Sequence, residues 1–336
     1  MNRQLSTMSA LVLGAGSIGS RHARNLRAAG VGSIAIYDAE ASAAARLAAE
    51  IGGNPVESLD AWLAVSPPTV GLVCTPPHLH VEQALKLLEH GAHVFVEKPL
   101  SHTSAEAARL AQIGARCGRA IQVGYNLRFH PGLILLKEFI DAKQIGRIFW
   151  ARLEVGQYLP DWRPQADYRR SYTASSARGG GILLDASHEI DYACWLFGAP
   201  VELCSLAGRS GVLEMDAEDC ASLIMRCDSG VQVDIHLDCL QRTYTRQCKV
   251  VGELGTLVWD YTLNDVRLWQ VSKPEWLSHP YSFEGNDMYR AELDHFLASV
   301  VAGTPPAVGI ADGLRAIRIV EAAKQAAAAA YRVTEV

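Results

Sequence analysis

Through the first 124 residues, short apolar runs alternate with stretches whose apolar positions fall three and four apart. The runs Ala10–Leu13, Ser33–Tyr37, Thr69–Cys74, Val94–Val96 and Ala120–Gly124 predict strands. The stretches Arg21–Ala29, Ala43–Ile51, Leu59–Ala64, Val81–His90 and Ser104–Cys117 predict helices between them. Strands and helices that alternate in this way predict a parallel, doubly wound sheet. From Gly146 the pattern changes. Val231, Val233, Ile235 and Leu237 alternate with Gln232, Asp234, His236 and Asp238, giving one apolar and one polar face. Asp228-Ser229-Gly230 makes a hairpin turn back to Ala221–Cys227, and further strands are predicted at Arg147–Val155, Val201–Ala207, Arg246–Val251, Gly255–Asp260 and Asp265–Gln270. This is an antiparallel sheet with helices over one face and a polar face opposite. Gly179-Gly180-Gly181 opens a helix Ile182–Phe197 that Gly198 and Pro200 stop. Asp287–Val301 reads as an amphipathic helix with Leu293, Phe296, Leu297 and Val300 inward. Ala311–Tyr331 reads as a close-packed helix carrying the run Ala326–Ala330. The expected class is therefore α/β: a doubly wound domain at 1–124, then an α+β domain at 125–336 with a large, mostly antiparallel open-faced sheet, its last helix packing back on the first domain.

At 336 residues the chain suits two domains, each with its own core. A net charge of -5 with mixed signs and no basic run gives no electrostatic footprint for nucleic acid, so small-molecule chemistry is the better expectation. Eight cysteines show neither C-x-x-C nor metal-ligand spacing, so no metal site is expected, and Cys74, Cys194 and Cys227 fall in apolar runs. They read as the reduced thiols of a cytoplasmic protein. The polar start, Met1 to Ala10, followed by a run that breaks at Gly14, contains no signal-peptide core, and no segment reaches the length of a membrane span.

The strand Ala10–Leu13 runs straight into Gly14-Ala15-Gly16-Ser17-Ile18-Gly19 and a helix. Gly14 permits the tight turn, Gly16 lets the backbone approach a pyrophosphate, and Gly19 allows helix and strand to pack closely. Asp38 closes the second strand 19 residues beyond Gly19, where an acid binds adenosine ribose hydroxyls. That context predicts a Rossmann dinucleotide site. A carboxylate there repels a 2'-phosphate, and Arg46, the nearest arginine, lies one helix further on, so NAD is favoured over NADP. Thr75-Pro76-Pro77 places a rigid loop beside the nicotinamide half of the cofactor, while His78 and His80 read best from the residues as loop or cap groups without chemistry. The strand Val94–Val96 delivers Glu97-Lys98-Pro99 to its carboxyl end, where open α/β sheets bind ligands. In isolation, that pair reads equally well as charges solvating a strand end.

Downstream, Gln157 to Tyr172 is dense in aromatic and guanidinium groups. Sugars stack on aromatic faces and anions take bidentate arginine bonds, so Trp162, Arg163, Tyr168 and Arg169 are candidate substrate contacts; the two arginines would suit an acidic, phosphorylated or nucleotide sugar. A surface loop with a few structural Trp and Arg contacts is the plainer alternative. Asp185, His188 and Asp191 follow at intervals of three on one helical stripe.

Taken in order, Gly14 to Gly19, Thr75-Pro76-Pro77 with His80, Glu97-Lys98-Pro99, Gly124-Tyr125-Asn126-Leu127-Arg128-Phe129-His130, Gly179-Gly180-Gly181, Asp185, His188-Glu189-Ile190-Asp191 and Asp312-Gly313-Leu314 resemble the Gfo/Idh/MocA family (glucose-fructose oxidoreductase, inositol dehydrogenase, rhizopine catabolism) across the whole chain. The resemblance implies an oxidoreductase acting on sugars or cyclitols with a nicotinamide cofactor. Lys98, His188 and Asp185 would be its catalytic group. Gly14, Gly16, Ser17, Ile18, Gly19, Asp38, Thr75, Pro76, His80, Glu97 and Lys98 would hold the cofactor. Asn126 and Arg128 would join the loop residues, Lys98, Asp185 and His188 around substrate. Members commonly place the acid four residues before the histidine; here that position is Leu184, and Asp185 stands three before. The resemblance also implies that the open sheet face packs against another subunit, giving a homodimer or homotetramer; a simple solvated face is the plainer alternative. His188 would take the hydroxyl proton as hydride leaves the same carbon, Lys98 would stabilise the oxygen, and Glu97 would position Lys98. Alternatives are a redox-neutral NAD-dependent glycosidase, a non-catalytic sensor of NAD or sugar, and a reductase of a non-sugar carbonyl.

Overall fold

The structure, a computed structural model, describes residues 2–329. Its elements begin α1 (Asn2–Leu5), β1 (Ser9–Leu13), α2 (Ser17–Ala28), β2 (Ser33–Tyr37), α3 (Ala41–Ile51), β3 (Asn54–Pro55), α4 (Leu59–Val65), β4 (Val70–Val73), α5 (His80–Glu89), β5 (His93–Glu97), α6 (Ser104–Cys117) and β6 (Ile121–Gly124). They continue with α7 (Pro131–Asp141), β7 (Ile148–Gly156), α8 (Leu159–Trp162), α9 (Ile182–Asp185), α10 (Ser187–Phe197), β8 (Pro200–Gly208), β9 (Cys220–Cys227) and β10 (Gln232–Asp238). The series closes with β11 (Thr245–Gly252), β12 (Gly255–Asp260), β13 (Asp265–Gln270), β14 (Lys273–Pro280), α11 (Asp287–Ala302) and α12 (Ile310–Ala328).

The chain divides into two compact units. Among the described residues, the first takes those up to Asn126 together with Asn286–Ile317, the second Leu127–Gly285 with those from Arg318 to residue 329. In the first, six parallel strands run in the order β3-β2-β1-β4-β5-β6; five of them lie where the apolar runs predict strands, and β3, two exposed residues, is an addition. The order reverses between β1 and β4, and ligands bind outside the carboxyl ends of strands at such a switch point. Val12, Ile34, Ile36, Leu72 and Phe95 are fully buried, and Leu293, Phe296 and Leu297 of α11 belong to the same core. The apolar side of α11 is thus spent in this unit.

The second unit carries an eight-stranded sheet in the order β14-β13-β12-β11-β7-β10-β9-β8, antiparallel except where β7 and β10 run parallel. Helices α7, α9 and α10 cover one face. Along β9 the alternation is direct: Ala221, Leu223, Met225 and Cys227 are buried, while Ser222, Ile224 and Arg226 are exposed.

Besides the short elements α1, β3 and α8, three longer ones depart from expectation. Helix α7 was hidden by Pro131-Gly132, a pair that reads as a turn, although proline is well suited to a first helical position; His130 Nδ1 caps it by accepting from Gly132 N at 3.1 Å. Strand β14 is largely exposed and begins Lys273-Pro274, so it shows no inward apolar rhythm. The single helix expected over Ile182–Phe197 is two. Ala186 leaves helical geometry at φ -94° and ψ 24°, its amide shared between Ile182 O and Leu184 O. Of the predicted last helix, Ala330 and Tyr331 lie outside the described residues. No helix among the described residues is long and apolar enough to cross a membrane.

Candidate active site

In the first unit the glycine turn has the tight geometry the motif requires. Gly14 sits at φ +100°, and a Cβ there would stand 2.7 Å from Cys74 O. One on Gly19 would run into the carbonyl oxygen of Gly14, so α2 approaches β1 and β4 only because that side chain is absent. A Cβ on Gly16 would meet nothing within 4 Å; the space before that backbone is open. Gly16 is the N-cap of α2 with no side-chain cap, so the positive end of the helix, at Ser17 and Ile18, is left to an anionic ligand.

Asp38 closes this turn from the end of β2. Its Oδ2 accepts from Ala15 N at 2.6 Å and its Oδ1 from Glu40 N at 2.8 Å. Arg46 does not turn toward the ribose position but pairs with Glu40 at 3.2 Å. Among the described residues no guanidinium pairs with Asp38, which suits ribose hydroxyls and opposes a 2'-phosphate.

The loop after β4 and the turn after β5 are tied together by His80. Its Nε2 lies 2.7 Å from Thr75 O and its Nδ1 2.8 Å from Pro99 O, while Thr75 Oγ1 donates to Gln83 Oε1 at 2.6 Å. Burial pushes the His80 ring below its ordinary value, with the two carbonyls pulling the other way. Pro76 caps the 3₁₀ turn Pro77–Leu79. Glu97 is buried at the end of β5: Oε1 lies 2.7 Å from His22 Nε2 and Oε2 accepts from Lys98 N at 3.1 Å. Lys98 is half-buried beyond it. A Cβ on Gly124 would press to 3.1 Å from the Glu97 carboxylate, so that glycine makes room for the acid. Asn126, also buried, hydrogen-bonds the Tyr289 hydroxyl, and its Oδ1 has no partner.

In the second unit Asp185 is buried at the break between α9 and α10 and accepts from Tyr172 OH at 2.5 Å. His188 lies half-buried in the first turn of α10. The residues beside it are held by guanidinium groups. Asp191 receives a bidentate bond from Arg128, at 2.8 Å from Nε and 2.6 Å from the terminal nitrogen. Glu189 meets Arg246 at 2.8 Å, and both of these side chains are withdrawn from water. Of the loop candidates, Trp162 donates to Gln157 O at 3.0 Å and Tyr168 OH accepts from Glu214 N at 3.1 Å. Arg169 pairs with Asp167 at 2.8 Å and with Glu214 at 3.5 Å. Arg163 is exposed. Gly180 has no room for a side chain because the carbonyls of Tyr172, Thr173 and Ser175 line it, which fixes the loop that carries Tyr172. Tyr172, His22 and Tyr289 were not singled out in the sequence.

Residues 8–125 match the family described as "Oxidoreductase family, NAD-binding Rossmann fold", and residues 134–258 match the "GFO/IDH/MocA C-terminal domain". The chain belongs to the Gfo/Idh/MocA family. It is thus an oxidoreductase that uses NAD, and the open face at Gly16, the uncapped start of α2 and the placement of Asp38 fit that cofactor. Among curated Gfo/Idh/MocA relatives, it is 28% identical to "Inositol 2-dehydrogenase 2" of Saccharopolyspora erythraea over 94% of this chain and 92% of that one. It is 29% identical to "Myo-inositol 2-dehydrogenase" of Thermotoga maritima over 94% of each chain. Among solved structures, levoglucosan dehydrogenase with NADH and levoglucosan shares the fold at a TM-score of 0.88, with 21% identity over 96% of this chain and 98% of that one.

Proposed function

We propose that this enzyme transfers hydride between NAD and one secondary alcohol of a neutral cyclitol or sugar. What carries the choice of a neutral substrate is the state of the loop cations. Of the three candidate arginines, Arg169 is compensated by Asp167 and Glu214 and Arg128 by Asp191, while Arg163 is exposed, so two of the three positive charges that an acidic or phosphorylated sugar would use are spent. Relatives named for inositol, matched over nearly their whole length, support the same class.

Bound NAD supplies the hydride acceptor. Gly14, Gly16, Ser17, Ile18 and Gly19 hold its pyrophosphate and Asp38 its ribose. Lys98, His188 and Asp185 form the acid–base group. His188 takes the proton of the reacting hydroxyl; an imidazole exchanges protons near neutrality and is suited to that step. Lys98 donates to the same oxygen and stabilises its developing negative charge. Asp185, oriented by Tyr172, sets the charge around them. Glu97 has both oxygens committed to His22 and to the main chain of Lys98, so its role is to position the lysine. Asn126, with a buried carbonyl oxygen unpartnered, is a substrate contact.

We extend the reading to a cytoplasmic homo-oligomer. All eight cysteines are free thiols, and the outward side of the eight-stranded sheet exposes Leu206, Ile224 and Trp276 among its charged residues. Sedimentation of the purified protein checks the assembly.

The activity is tested by following nicotinamide absorbance with NAD and with NADP against inositols, free hexoses, uronic acids and nucleotide sugars. Reduction of NAD by an inositol or hexose, lost in Lys98→Ala and His188→Ala, is the expected result. Turnover confined to uronic acids or nucleotide sugars would overturn the neutral-substrate reading, and wild-type rates in both variants would overturn the acid–base group.

A further inference from the structure

His22 lies on α2, the helix whose first turn faces the cofactor's phosphates, yet its side chain points away from them into the core. The ring is wholly buried, meeting Phe95 of β5 edge-on at 5.0 Å between centroids and Tyr289 of α11 at 6.1 Å. Nε2 is 2.7 Å from Glu97 Oε1, whereas Nδ1 is buried with no partner. An N–H at Nδ1 would be an orphaned donor, so the proton lies on Nε2 and is donated to the carboxylate. The other oxygen of Glu97 receives the amide of Lys98. Two hydrogen bonds therefore run from the phosphate-binding helix, through one carboxylate, to the main chain of the lysine, all within the first unit.

Stability alone is a poor account of this pair. A buried His–Glu contact must repay the desolvation of both groups, and apolar residues of similar volume serve a core as well or better. Around the pair, Phe95 stacks edge-on against Phe296, and Tyr289, which lies beneath the Arg21 guanidinium at 4.3 Å, hydrogen-bonds Asn126. Cys74 and Tyr289 are both pushed up, first by burial and then by the Glu97 charge, with buried Glu292 adding to both.

We propose that His22 is a positioning residue for Lys98, holding the Glu97 carboxylate in the orientation that fixes the lysine against bound cofactor. The proposal rests on the assignment of Lys98 to the acid–base group, and its test separates the two. His22→Phe keeps the ring packing and deletes the donor; His22→Gln restores an N–H at about the same reach. In steady-state kinetics His22→Phe lowers kcat about 10- to 100-fold, the size of one hydrogen bond to a charged group. NADH binding, read by fluorescence titration, changes by less than about threefold, well short of one such bond. His22→Gln recovers most of the lost kcat. Equal losses in the two variants, or a loss of NADH affinity as large as that of kcat, would overturn it. Lys98→Ala is assayed alongside: if it is inactive while His22→Phe turns over normally, His22 is excluded and Lys98 stands. If Lys98→Ala is active, the lysine assignment fails and takes this one with it. An independent readout uses the unaltered protein: nitrogen NMR of labelled histidine places the His22 proton on Nε2, and a proton on Nδ1 instead would remove the hydrogen bond on which the proposal stands.

Discussion

Tyr172 donates its hydroxyl to Asp185 Oδ1 across 2.5 Å, joining the loop before the triple glycine to the break between α9 and α10. A hydrogen bond to an ionised acceptor is among the stronger kinds, and it orients the carboxylate as well as stabilising it. Tyr172→Phe keeps the ring and removes only the donor. We expect kcat to fall about tenfold, at about 1.4 kcal/mol, with NADH binding unchanged. A parallel loss in NADH affinity would mean that the loop had moved rather than that one bond had gone.

The three glycines of the nucleotide turn separate folding from binding. Gly16→Ala adds a methyl group into open space, so the unfolding midpoint should stay within about 0.5 kcal/mol of wild type, while NADH affinity falls at least about tenfold because the methyl occupies the pyrophosphate position. Gly19→Ala drives a Cβ into the Gly14 carbonyl and should cost about 1–3 kcal/mol of stability before any ligand is added. Calorimetry with and without NADH distinguishes them. A Gly16→Ala protein that binds NADH normally would show that the phosphates lie elsewhere.

Asp38 is held by two amides, from Ala15 and Glu40, and Arg46 pairs with Glu40 instead of with it. Replacing it with asparagine keeps one accepting oxygen and removes the charge. NADH binding should weaken about tenfold, while the preference for NADH over NADPH narrows by more than that, since repulsion of the 2'-phosphate is lost as well. Fluorescence titration with both reduced cofactors measures the ratio. Equal affinity for the two in the wild type would refute the role of Asp38.

What could be read from the chain follows from the range of each interaction. The glycine turn, the parallel strands other than β3 and the alternation of β9 and β10 are local patterns, and they appear where periodicity places them. The break at Ala186 was not legible because Ile182–Phe197 is apolar on a helical period throughout; only the pull of Tyr172 on Asp185, from 13 residues upstream, distinguishes its fourth residue. His22 was passed over for a similar reason, since its partner Glu97 is 75 residues away and nothing in α2 marks a histidine as buried. Arg128 was read as a substrate contact from its motif; its bidentate bond to Asp191, 63 residues on, gives it a partner within the protein. Pattern reading finds elements and backbone devices, whereas charge pairing between elements needs the fold.

His130 should make the second unit sensitive to acid. Its ring is fully buried against Trp259, Tyr261, Tyr281 and Phe283, with the nearest centroid, that of Phe283, at 4.4 Å. Nδ1 accepts from Gly132 N and Nε2 is buried without a partner. Burial, with the Arg246 charge second, lowers the group from its ordinary value to about 3. The sign is that of a depressed base: the unfolded chain takes up a proton as pH falls through about 6.5, while the native ring does not until about 3. Its contribution is therefore fully present above about 6.5 and is lost progressively below, at about 1.4 kcal/mol for each pH unit within that window. His130→Phe has no proton to take up. At about pH 7.5 it should be less stable than wild type by about 1 kcal/mol, because Gly132 N loses its acceptor; by about pH 5 the deficit should close or reverse. Urea midpoints from tryptophan fluorescence, with Trp259 against the site, follow both proteins. If the two lose stability in parallel across that interval, the native histidine takes up its proton at the same pH as the unfolded chain and the aromatic pocket does not exclude the charge.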